Sequence, residues 1–133
     1  MDPLALMPPD DPFEAALEVA VTAILALPGP YGEQLPSVAI VVEQEPRAAQ
    51  LAAVGAHGLL GLYQGVPRTV YGADHAAAPS KITLFRGPLM RRYRGPEALR
   101  DGVEATLIHE LGHHLGISDE RIEELQRERR AAR

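Results

Sequence analysis

The 133-residue sequence contains no cysteine. That excludes a disulfide framework and any thiolate metal site, so a metal would have to be held by nitrogen and oxygen ligands. The same absence fits a reducing compartment. An excess of positive charge is also missing: 13 Lys and Arg stand against 18 Asp and Glu, for a formal net charge of -5. A protein built to bind nucleic acid carries a basic footprint, and no nucleic-acid partner is expected here. The opening Met1-Asp2-Pro3, with Asp10 and Asp11 behind it, lacks the basic start and apolar run of a secretory signal. The longest apolar stretch, from Ala15 to Leu27, is interrupted by Glu18 and Thr22 and is too short to span a bilayer. These absences predict a cytoplasmic location and no membrane partner. The length suits one domain over residues 1–133, with residues 1–11 as a loose Pro- and Asp-rich lead-in.

What is present falls into an α+β order. Phe13, Leu17, Val21, Ile24 and Leu25 recur at helical spacing behind Pro12, and Pro28-Gly29-Pro30 ends that helix. Val38 to Val42 is a β-branched apolar run, read as a buried strand. Leu59 to Gly65 reads as a second strand weakened by glycines, and Lys81 to Arg86 alternates by period two as a third. Pro96 opens the strongest helix, carried by Leu99, Val103, Leu107, Ile108, Leu111 and Leu115, with Gly116 placed as its C-terminal glycine. A last amphipathic helix runs from Ser118 or Asp119 to near Arg130, acidic early and basic late, which complements the helix dipole.

The strongest helix carries His109-Glu110-Leu111-Gly112-His113, an H-E-x-x-H motif. Residues four apart share a helical face, so both imidazoles can address one ion, and two neutral His ligands suit zinc. Glu110 is rotated from His109 by roughly 100°. Its carboxylate then stands beside the ion, where it can act as a general base. A catalytic zinc site needs a third protein ligand and an open position. Gly116 permits a sharp turn that would return Asp119, completing H-E-x-x-H-x-x-G-x-x-D. A chance H-E-x-x-H in such a chain has a probability on the order of 1%, and the extended string roughly 1 in 10,000, which favours a functional site. Asp119 has a competing use as the N-cap of the last helix, unless Ser118 takes that place. Glu120, Glu123 and Glu124 are fallback oxygen ligands.

The string from His109 to Asp119 resembles the extended motif of the metzincin-like zincins, with Asp in place of the third His. The wider chain resembles a family of very small bacterial zincin-like metallopeptidases. The shared pieces are the helix ending at Leu27-Pro28, the strand Val38 to Glu43, Leu60 to Gly65, Ile82 to Arg86, and His109 to Gly116. The resemblance implies a minimal zincin fold, a small sheet packed on the active-site helix, and peptidase activity. No Met follows Met90, so the Met-turn of the metzincins has no counterpart.

The combined expectation is one zinc ion per chain, held by His109, His113 and Asp119, with Glu110 as catalytic base and a peptide or protein as substrate. Tyr63, Tyr71 and Tyr93 are candidates to stabilise an oxyanion, with Tyr63 and His114 as candidate substrate contacts. Gly61 to Gly65 is either an edge strand that pairs with an extended peptide or a bulged strand beside a turn. His57 and His75 read as surface histidines. Arg91, Arg92 and Arg94 around Tyr93 read as a solvated loop face. Three rivals stand beside the peptidase: a metal-dependent endoribonuclease, a silent zinc-binding or interaction module, and a regulatory partner that merely keeps the zincin shape. A bacterial RNA-maturation family shares a His-x3-His helix motif, typically with Gly where this chain has Glu110. A structural site has no need of a general base, which weighs against the silent module.

Overall fold

A computed structural model describes residues 11–54, 59–65 and 80–131. The first helix, α1 (Pro12–Leu25), begins where the proline predicts. Asp11 caps it, its carboxylate accepting the Phe13 amide at 2.9 Å, and the same carboxylate pairs with Arg86 at 3.1 Å. Residue 11 is therefore anchored and does not belong to a loose lead-in; residues 1–10 lie outside the described residues. Phe13, Ala16, Ala20 and Ile24 are buried at helical spacing. They pack α1 against α5 (Pro96–His114), which buries Leu99, Val103, Leu107, Ile108 and Leu111 in the same core.

Between these helices lie α2 (Pro30–Gln34), a 3-10 turn (Leu35–Ser37), β1 (Ala39–Glu43), α3 (Ala48–Val54), β2 (Gly61–Gln64), β3 (Lys81–Phe85) and α4 (Arg86–Arg92). The last helix, α6 (Asp119–Ala131), follows α5. The described strands form one sheet in the order β1-β3-β2, with β1 parallel and β2 antiparallel to β3. The class is α+β, as expected, with the sheet lying on α5. Among the described residues no single helix is long and apolar enough to cross a bilayer.

Three readings from the sequence change. Among the described residues the run at Val38–Val42 contributes to an edge strand, not a buried one: Val42 is 42% exposed. An apolar run does not reveal its place in a sheet, and the central place belongs to β3. There Ile82, Thr83, Leu84 and Phe85 are all buried, because β3 is covered on both faces. Arg86 leaves β3 and starts α4. Arg91 and Arg92, read from the sequence as part of a loop face, close the short helix α4, since seven residues are too few to display a helical period.

Candidate metal centre

The site is built on the last turn of α5. His109 and His113 stand one above the other, their ring centroids 4.9 Å apart and nearly perpendicular. Each side chain is about one-third exposed, whereas Glu110 is nearly buried. One nitrogen from each histidine and a Glu110 carboxylate oxygen lie within 4.8 Å of one another.

The helix ends in a Schellman turn. The Gly116 amide donates to the His113 carbonyl at 3.0 Å and the Ile117 amide to the Gly112 carbonyl at 2.9 Å, with Gly116 at φ +74. The chain reverses and α6 folds back on α5. Ser118 supplies the cap of α6, its hydroxyl accepting the Arg121 amide at 3.2 Å. The Asp119 carboxylate faces the histidines instead. Its Oδ1 lies 2.6 Å from His113 Nε2 and 3.5 Å from His109 Nε2. Gly112 permits this return, because a Cβ there would lie 2.5 Å from Ile122 Cδ1, the buried anchor of α6. Gln126, bonded to the Ala105 carbonyl, and Arg129, 2.6 Å from the buried Glu104, hold the rest of α6. Glu120, Glu123 and Glu124 are exposed, and Glu124 pairs with Arg121.

Two imidazole nitrogens and a carboxylate oxygen form a donor set suited to zinc. Ligands held tetrahedrally about 2.1 Å from an ion sit roughly 3.4 Å apart. The 3.5 Å separation of His109 Nε2 from Asp119 Oδ1 matches that edge, whereas the 2.6 Å contact with His113 is a direct hydrogen bond. The charge distribution points the same way. The Glu110 hydrogen bond, against the opposing effect of burial and with help from Asp119, pushes the His113 imidazole up to about 9. His113 in turn lowers the Asp119 carboxyl below its ordinary value. Among these four side chains, one cation is favoured between two carboxylates.

The sheet reaches the site through β2. The Phe85 amide donates to the Leu60 carbonyl. The antiparallel alternation that follows turns the main-chain groups of Gly61 and Tyr63 away from β3. The Tyr63 amide donates to Glu110 Oε1 at 3.0 Å, and the same oxygen lies 3.2 Å from His113 Nδ1. Gly61 lets the strand lie close on α5: a Cβ there would be 2.7 Å from Thr106 Cγ2 and 3.4 Å from Glu110 Cγ.

His114 faces the interior. It is 1% exposed, with Nε2 3.0 Å from Ser37 Oγ and Nδ1 2.9 Å from the Tyr63 hydroxyl. That hydroxyl also lies 3.1 Å from Ser80 Oγ. Tyr63 therefore meets the site through its main chain while its side chain is engaged inside. Tyr93 packs its ring on Gly102, about two turns before the motif, with Arg92 over its outer face. Arg91 is paired with Glu45. Tyr71, His57 and His75 lie outside the described residues. The contributions of Gly61 and Gly112 were not anticipated; an internal glycine at position 112 of a strong helix was the available signal.

A comparison with curated proteins finds no match. A sequence model of the zincin-like metallopeptidases matches residues 35–129, from the 3-10 turn through most of α6, and so takes in the sheet, the H-E-x-x-H turn and Asp119. The chain belongs to the zincin-like metallopeptidase family, whose character implies a metal ion at the His109, Glu110 and His113 group.

Proposed function

We propose that the protein is a zinc-dependent peptidase that binds one zinc ion through His109, His113 and Asp119. The observation that carries this reading is the convergence of both Nε2 atoms on a single Asp119 oxygen, with the Glu110 carboxylate beside them. When bound, zinc would supply a Lewis acid that polarises a carbonyl and acidifies water. Glu110 would accept the proton of the attacking water and pass it to the leaving amine. Its Oε1 is held by the Tyr63 amide at 3.0 Å, which fixes the carboxylate beside the histidines. The reading takes an extended peptide as substrate along the outer edge of β2, with which no strand pairs among the described residues. A groove of about 740 Å³ opens at Leu59 and Leu60, just before β2, lined also by Leu51, Pro88 and Arg92.

A second reading, a zinc module without hydrolysis, draws on one contact. Glu110 Oε1 beside His113 Nδ1 is also the arrangement by which a carboxylate orients a metal-binding imidazole. The substitution Glu110→Gln separates the two. The peptidase reading expects zinc bound at one per chain with hydrolysis of a quenched peptide library abolished. Wild-type protein that binds zinc and cleaves nothing supports the module, and protein that binds no zinc ends both readings.

A further inference from the structure

Strand β2 is tied to strand β3 by ladder bonds, but these fix only its register within the sheet. Its height over α5 depends on what joins the strand to the helix, and one residue supplies two polar bonds. The Tyr63 amide reaches Glu110 and the Tyr63 hydroxyl reaches His114. Residues 110 and 114 lie four apart, on one face of α5, so Tyr63 straddles a single helical turn.

The buried end of this clasp has a consistent direction. Ser37 Oγ lies 2.6 Å from the Gln34 carbonyl, a short contact that places the serine proton there. Ser37 Oγ then accepts from His114 Nε2–H, which leaves Nδ1 as an acceptor; the single Tyr63 hydroxyl proton goes to Nδ1 at 2.9 Å, the shorter contact, and the Ser80 hydroxyl at 3.1 Å donates to the Tyr63 oxygen. The same assignment removes Ser37 as a nucleophile, since its oxygen receives a proton from His114 and its own proton is held by a carbonyl.

We propose that His114 is a positioning residue for Glu110: by holding the Tyr63 hydroxyl, it keeps the Tyr63 amide on Glu110 Oε1. The inference rests on the reading of Glu110 as the base only for its effect on turnover. The positioning itself is measurable without substrate and without metal. Loss of the hydroxyl frees β2 to lift from the helix, and the amide bond to Glu110 lengthens while the β2–β3 ladder stays closed.

The test is amide NMR on the metal-free and zinc-loaded protein, comparing wild type with Tyr63→Phe. The expected result is a changed residue-63 amide proton shift and about tenfold faster exchange at that amide. The Phe85 amide, which reports the β2–β3 pairing, should stay as in wild type. An unmoved residue-63 amide overturns the proposal. So does a rise in exchange that is equal at residues 63 and 85, because the hydroxyl then merely holds the fold. Ser37→Ala, at an exposed side chain, is the milder variant should Tyr63→Phe unfold. It should move the same amide in the same direction by less, and no movement overturns the proposal. On a quenched peptide library Tyr63→Phe should lower kcat about tenfold with KM within about twofold. If the amide responds as expected and even wild type cleaves nothing, the positioning stands and the peptidase reading falls. If wild type cleaves and the amide is unmoved, the reverse holds.

Discussion

His113 and His114 are neighbours in the chain and have opposite surroundings. His113 stands a third exposed between two carboxylates, which draw positive charge onto it. His114 is buried, with the Ser37 hydroxyl on Nε2 and the Tyr63 hydroxyl on Nδ1. One step along a helix turns a side chain by about 100°, and here that step crosses from an ion-binding face to the interior. The same residue type is a metal-ligand candidate on one face and a structural linker on the other. What separates them is the partner set, not the motif.

If the outer face is the ion-binding one, its substitutions should act on zinc far more than on folding. Asp119→Ala should weaken zinc binding on the order of 100-fold or more, since loss even of an outer-shell partner can cost 10- to 100-fold. Its melting temperature without metal should fall only slightly, because Ser118 holds the cap and the lost Asp119–His113 pair is solvent-exposed. Glu123→Ala and Glu124→Ala should bind zinc as wild type does. Competition titration of the three variants decides. An Asp119→Ala variant with wild-type affinity and a lowered melting point would reduce Asp119 to a helix-start residue.

Proton competition gives the next largest effect. His113 must shed its proton to bind the ion, and in the metal-free protein it keeps that proton up to about 9. Zinc affinity should therefore rise about tenfold per pH unit, roughly 100-fold from pH 7 to 9, and level off above. An ordinary imidazole would place this competition near 6.5. The folded-state value is raised, so His113 stabilises the metal-free protein fully below about 6.5 and loses that contribution as pH climbs through about 9. Metal-free protein should thus soften toward alkaline pH while zinc-loaded protein tightens. Parallel melting curves across this range test the sign.

Smaller effects should come from the packing that joins the two faces. Gly112→Ala forces a methyl into Ile122 and should cost about 1–3 kcal/mol, with weaker zinc binding because α6 carries Asp119. Denaturant unfolding with and without zinc measures both. Arg91→Ala removes only an exposed pair with Glu45 and should leave the melting temperature unchanged within error.

The parts legible in the sequence were local. The H-E-x-x-H turn, the glycine reversal at Gly116 and the two C-terminal helices rest on spacings of three, four and seven residues, which the chain displays directly. The roles of Tyr63 and His114 join residues 51 positions apart and have no spacing to betray them. The notches at Gly61 and Gly112 exist only because a strand and a helix arrive there. The edge position of β1 follows from which strand pairs where, and its apolar letters could not report that. The raised pKa of His113 likewise depends on Glu110 rotating toward it and on Asp119 returning.

The Schellman turn has a consequence for how the metal and the fold share free energy. All three candidate ligands lie within the eleven residues from His109 to Asp119, so chelation closes a very short loop, and loop closure is cheap at that length. The remainder of the chain takes no part in that closure. Zinc at a concentration well above its dissociation constant should stabilise mainly the docking of α6, by about 2.7 kcal/mol at a hundredfold excess. The C-terminal helix would then be the segment whose local opening metal supply governs, while α1 and the sheet would gain protection only through openings that also break the site.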